Sequence, residues 1–75
     1  MKATTQERCQ TAYRSINRGF LVFIRLASSS REYRVFSMRN AKHNLEANLS
    51  EDGEHWIQFE PDDLAAVRVV ETNHA

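Results

Sequence analysis

"FLVFIRLASSSREYRVFSMR" (residues 20–39) is the stretch that decides the fold. Residues 20–24 are apolar on both faces, the pattern of a strand covered on each side until Arg25 interrupts it. A serine run then supplies a turn, and residues 31–39 read as a returning strand. A four-residue loop over 27–30 sets Leu26 opposite Arg31. Phe20, Val22 and Ile24 then face Ser37, Val35 and Tyr33. On the other side the same register opposes Leu21 to Phe36, Phe23 to Arg34 and Arg25 to Glu32: one apolar pair, one cation–π pair and one ionic pair.

Upstream, Thr4 and Glu7 have the spacing of a capping box, which predicts a helix start. Cys9, Ala12, Tyr13 and Ile16 fall at i, i+3, i+4 and i+7, a single apolar stripe, and Gly19 supplies the left-handed residue that closes a helix. A helix over about 5–18 follows, with Arg14 and Arg18 on its solvent side.

Downstream, residues 49–64 hold six of the ten acids, with His55 and Trp56 among them. A loop of Glu51, Asp52 and Gly53, with Gly53 left-handed, pairs Leu49 with His55, Ala47 with Ile57 and Leu45 with Phe59. One face becomes apolar throughout, and a slip of one residue would oppose Ile57 and Phe59 to Glu46 and Asn44. Glu51, Asp52 and Glu54 therefore belong to a hairpin tip. Asp62 and Asp63 belong to a tight or 3₁₀ turn begun by Pro61. Strands are expected at 20–26, 31–39, 43–50, 54–60 and 66–71, all within a single domain over 1–75, ending in a frayed tail.

Apolar residues make up 41% and charged residues 27%, an ordinary globular balance. The net charge of zero conceals a division. Residues 1–42 carry nine Lys or Arg against two acids, and residues 43–75 carry eight acids against Arg68 alone. Either the halves neutralise each other locally, or each presents a charged face. The longest apolar run, 20–24, is too short to span a bilayer, and neither a signal peptide nor a membrane partner is expected. With Cys9 as the single cysteine, no internal disulfide can form, which suits a cytoplasmic setting.

Groups that carry chemistry are sparse. Cys9 lies on the helix stripe, His74 in the tail, and His43 and His55 near opposite ends of the second hairpin, so no metal ligand set is expected. No serine sits in a glycine-flanked elbow, the carboxylates lie in turns, and two glycines do not make a phosphate loop. A non-enzymatic chain without cofactor is the expectation. Candidate contact residues are Arg14, Arg18, Arg25, Arg34, Arg39 and Trp56, with Glu51, Asp52, Glu54, Asp62 and Asp63 as an acidic face. Trp56 points away from the apolar side of its hairpin. It either joins the helix, Leu21, Phe23 and Phe36 in a second apolar layer, or stands partly exposed as an anchor.

"NAKHNLEANL" (40–49) resembles the third-strand region of Sm-like proteins, where an Asn follows a bend, here Asn44; "WIQFEPDDLAAVRVV" (56–70) resembles their fourth strand, short turn and fifth strand. The Rof proteins, which inhibit the termination factor Rho, have a similar helix-plus-barrel plan. Where Sm proteins carry a small-Arg-Gly element this chain has Glu60 and Pro61, and where Rof has acids in its first helix this chain has Arg8, Arg14 and Arg18. The resemblance implies an α+β domain, with one helix packed on a bent five-stranded antiparallel sheet or small SH3- or Sm-like barrel. The small size, the divided charge and the lack of catalytic groups point to work as a small regulator or inhibitor docked on a protein of nucleic-acid metabolism. Direct RNA or DNA binding through the Arg-rich residues, and self-association of opposite charged halves, are the alternative expectations.

Overall fold

The computed structural model describes residues 5–71. The Thr4 cap, His74 and the tail lie outside the described residues. One helix, α1 (Thr5–Asn17), precedes six strands: β1 (Leu21–Leu26), β2 (Glu32–Val35), β3 (Ser37–Ala41), β4 (Asn44–Asn48), β5 (Trp56–Phe59) and β6 (Leu64–Val70). A 3₁₀ turn, Pro61–Asp63, joins the last two. They form two three-stranded antiparallel sheets, ordered β2-β1-β6 and β3-β4-β5. The α+β class stands; the single five-stranded sheet and the closed barrel do not.

Phe36 is the physical reason for the difference. Along the expected strand 31–39, Val35 and Met38 are both buried and the two residues between them are not, so the inward–outward alternation slips by one position. Val35 still pairs with Val22, but the Phe36 N–H turns away and donates to Asn48 O at 2.8 Å. The ladder with β1 therefore ends at Val22–Val35. The expected Leu21–Phe36 and Phe20–Ser37 pairs are replaced by a new ladder in which Ser37 faces Asn48 and Met38 faces Ala47.

The remaining registers follow the side-chain chemistry. Phe23 faces Arg34, Ile24 faces Tyr33 and Arg25 faces Glu32. Leu45 faces Phe59 and Ala47 faces Ile57, while Leu49 N–H donates to His55 O at 2.8 Å. Gly53 takes φ +82° in the loop between them. The last strand begins at Leu64, two residues earlier than expected, because Leu64 pairs with Leu26 across a bulge at Arg25/Leu26.

Inward-facing Val22, Ile24, Val35, Met38, Leu45, Ala47, Phe59 and Leu64 form one core with Ala12 of α1. Cys9, Tyr13 and Ile16 pack against that same core. The helix thus covers the inner side of the sheets and is not part of a separate outer layer with Trp56. It ends in a Schellman arrangement: Phe20 N–H donates to Ser15 O at 3.0 Å and Gly19 N–H to Ile16 O at 2.9 Å, with Gly19 at φ +80°. Arg8 Nε donates to Leu64 O at 2.9 Å, so the helix also satisfies a carbonyl at the start of β6. No helix among the described residues is long and apolar enough to cross a membrane.

Candidate functional site

Strand alternation sends Leu21, Phe23 and Arg25 of β1, Glu32 and Arg34 of β2, and Arg68 of β6 to the outer side of the first sheet. In the second sheet it sends Arg39, Glu46, Trp56 and Gln58 outward, while Asn48, opposite Trp56, is buried. Large aromatic groups on a solvent face need cover, and arginine supplies it: a planar, weakly hydrated guanidinium stacks on a ring where an ammonium would stay in water. Three such stacks are present among the described residues. Arg68 lies 4.2 Å from the Phe23 centroid, Arg34 4.3 Å from Phe36, and Arg39 4.0 Å from Trp56.

The pairing differs from the expected one. Arg34 stands beside Phe23 in the ladder yet stacks on Phe36, two residues along its own chain, while Phe23 is covered by Arg68 from the opposite strand. Glu32 likewise faces Arg25 in register but accepts two hydrogen bonds from Arg68, at 2.7 and 3.1 Å. That bond to Arg68 is the main reason the Glu32 carboxyl sits below the usual carboxylate range, and the same contact raises Arg68. In the second sheet Arg39 Nε donates to Glu46 at 2.7 Å. The indole N–H of Trp56 donates to Gly53 O at 2.9 Å, fixing the ring beneath Arg39.

Thus Arg34, Arg39 and Trp56 lie on the outer side, with Arg39 and Trp56 in direct contact. Arg14 and Arg18 are exposed on the last turn of α1 and just after it. Arg25 is exposed at the end of β1, beside a hollow of about 370 Å³ at the serine turn. Sequence reasoning placed Phe23 in a cation–π pair, but with Arg34, and it missed Phe36 and Arg68 as members of the stacked set. The signal was there: an outward aromatic on adjacent strands, each with an arginine within reach.

Glu51, Asp52 and Glu54 sit in the loop before β5, and Asp62 and Asp63 sit in the turn after it. Asp52 accepts from Ser50 Oγ at 2.6 Å and from Glu54 N–H at 3.0 Å, which holds its carboxyl below the ordinary value. Asp63 accepts from Ser28 Oγ at 3.0 Å, and its carbonyl accepts from Ala27 N–H at 2.7 Å, tying the two turns together. Both are turn-closing acids. Among the described residues no three His, Cys, Asp or Glu converge on a point. Burial pushes the Cys9 thiol above its usual value, against the opposing pull of Arg8, so it is a packing group rather than a ready thiolate.

A cleft of about 180 Å³ opens where the end of the helix meets the first sheet. Ile16, Gly19, Phe20, Leu21, Val35 and Phe36 line it, with Arg34 as its charged residue.

Compared with protein-family models, curated proteins and solved structures, the chain matches none.

Proposed function

We propose that this chain is a non-enzymatic docking module. It binds another protein through the outer side of its sheets and acts as a small regulator or inhibitor of that partner. The observation that carries this is the set of three arginine-covered aromatics, Phe23, Phe36 and Trp56. Arg and Trp are the residues that dominate protein contact energies, because they offer large flat areas together with donors around the rim. Here they are pre-stacked, so little side-chain freedom is lost on contact.

The carboxylates favour a protein over a polyanion. Glu32 already occupies the fork of Arg68, Glu46 accepts from Arg39 Nε, and Glu51, Asp52 and Glu54 lie in the loop next to Trp56. A phosphate backbone would have to displace the first two and approach the last three, which works against counterion-driven binding. A protein surface of mixed charge meets no such repulsion. The placement of the partner in nucleic-acid metabolism is supported by the local likeness of residues 40–49 and 56–70 to Sm-like segments.

Capture from lysate with the immobilised chain, run beside Arg34→Glu and Trp56→Ala variants whose folding is confirmed by circular dichroism, tests the reading. One or a few proteins should be retained by the wild type and depleted at least several-fold by each variant. Equal capture by all three would sink it. Salt-sensitive binding of labelled single-stranded RNA would replace it with direct nucleic-acid binding, and light scattering that falls as salt rises would replace it with self-association.

A further inference from the structure

The two sheets present unlike outer sides. On the second, the charged residues are Arg39 and Glu46, which bond to each other. On the first, Arg25, Arg34 and Arg68 stand against Glu32 alone, and all four are exposed. Cross-strand neighbours lay them out in rows: Glu32, Arg25 and Ala66, then Arg34, Phe23 and Arg68, then Leu21 beside Val70. The surface therefore grades along β1 from cationic to apolar. Its apolar end holds Val70, at 37% the exposed large hydrophobic residue among the described ones.

We infer that the outer side of the first sheet receives an acidic segment of the docking partner, one that ends in a large apolar side chain. Charge complementarity identifies the occupant, because the rows through Arg25 and Arg34 hold an excess of positive charge. The acids of the later half belong elsewhere: Glu51, Asp52 and Glu54 to a loop joining two strands of the other sheet, and the Asp63 carboxylate to a bond with Ser28. Outward residues of a strand repeat about every 7 Å, so Leu21 to Arg25 spans about 14 Å. An extended segment of about five residues covers that length, its carboxylates over Arg25 and Arg34 and its apolar side chain over Leu21 and Val70. Phe23, already stacked under Arg68, gives the segment a stiff floor between the two ends. Exposed ion pairs contribute more to encounter and orientation than to affinity, and the apolar end supplies the rest. A nucleic-acid strand fits the rows less well, because Glu32 stands among the arginines and the apolar end offers nothing to phosphates.

This inference rests on the docking reading for its partner, but its test is separate. The probe is acetyl-Glu-Glu-Glu-Leu-Leu-amide, titrated into ¹⁵N-labelled protein and compared with versions in which Gln replaces Glu or Ser replaces Leu. The Glu-Leu peptide should shift the amides of Phe23, Arg25, Arg34 and Val70 and leave those of Arg39 and Gln58 in place. The Gln and Ser versions should bind roughly threefold to tenfold more weakly, the range expected for losing a few exposed ion pairs or one apolar contact. A variant carrying both Arg25→Gln and Arg34→Gln, its spectrum otherwise dispersed as in the wild type, should bind the Glu and Gln peptides alike. Lys42→Asn, which removes a cation from a turn of the second sheet, should keep the preference. Absence of shifts on the first sheet, equal binding of the Glu and Gln peptides, or undiminished preference in the double variant would each overturn the assignment. So would tighter, salt-sensitive binding of single-stranded RNA at the same amides, which gives the surface to nucleic acid, or shifts there on concentrating the protein alone, which give it to a second copy. Peptide shifts without partner capture would uphold the acidic preference of the surface and remove the docking reading. Capture that depends on Trp56, with no peptide shifts on the first sheet, would do the reverse.

Discussion

The Arg39 guanidinium lies 4.0 Å from the centre of the Trp56 ring and also donates from Nε to Glu46 at 2.7 Å. One side chain therefore joins all three strands of the second sheet. Trp56 is the chain's only tryptophan, so its fluorescence reports on this contact alone. Arg39→Met keeps the length and removes the charge and the fork. It should shift the emission and cost about 1 kcal/mol, the scale of an exposed cation–π contact with a partly screened ion pair. Arg39→Lys should cost less but still change the emission, because an ammonium does not stack flat. An unchanged spectrum and urea midpoint in Arg39→Met would mean that the stack is not occupied in solution.

A second prediction concerns acid. The Glu32 carboxyl is held below its ordinary value near 4.5 by its hydrogen bonds from Arg68. A carboxylate whose folded value is depressed binds protons more weakly when folded than when unfolded. The stability it contributes is thus fully present above the unfolded value and disappears as pH falls through the folded one. Urea midpoints measured from neutral pH down to about 3 should therefore fall less steeply for Glu32→Gln than for the wild type. Both partners are exposed, so the difference will be modest and will shrink in high salt. Parallel acid limbs for the two proteins would count against the pair.

Much of this arrangement was legible in the sequence, and what was not has a definite cause. The registers Phe23–Arg34 and Ala47–Ile57 follow from pairing like with like on one face of a pleated strand, a local rule that needs no tertiary knowledge. The break at Phe36 was hidden because residues 31–39 alternate acceptably as one strand; only the buried Met38, out of phase with Val35, marks the slip. The choice of ring for each arginine was also hidden. Arg68 reaches Phe23 from a strand more than forty residues away, and Arg34 prefers its own neighbour Phe36 once Phe23 is taken. Long flexible side chains choose partners by three-dimensional access, which spacing along a chain does not encode.

Lys42 supplies a third prediction. It adopts φ +50° in the two-residue turn between Ala41 and Asn44, where β3 and β4 meet. A side chain with a Cβ is strained in that region, and Asn tolerates it better because its short amide bonds locally. Lys42→Asn should stabilise the fold by roughly 0.5 kcal/mol, and Lys42→Gly by a similar amount less the entropy of a freer unfolded chain. Lys42→Val should destabilise. Thermal melts of the three variants give the order directly, and a Val variant as stable as the Asn variant would show that the turn is not left-handed.

The last prediction tests whether helix, 3₁₀ turn and both sheets share one core. Leu64 is completely buried, follows Asp63 of the turn, pairs with Leu26 across the bulge, and offers its carbonyl to Arg8 of α1. Leu64→Ala leaves the carbonyl in place and removes only packing, which for a fully buried leucine costs about 2–5 kcal/mol. A domain of this size holds little more than that in total. Leu64→Ala should therefore unfold largely at room temperature, while Ile24→Val, at about 0.5–1.5 kcal/mol, should remain folded with a lower midpoint. The Ile24→Val transition should coincide whether followed by helical circular dichroism or by Trp56 fluorescence, because α1 and the second sheet lean on the same buried residues. Two separated transitions would show that the helix and the second sheet do not unfold as one unit.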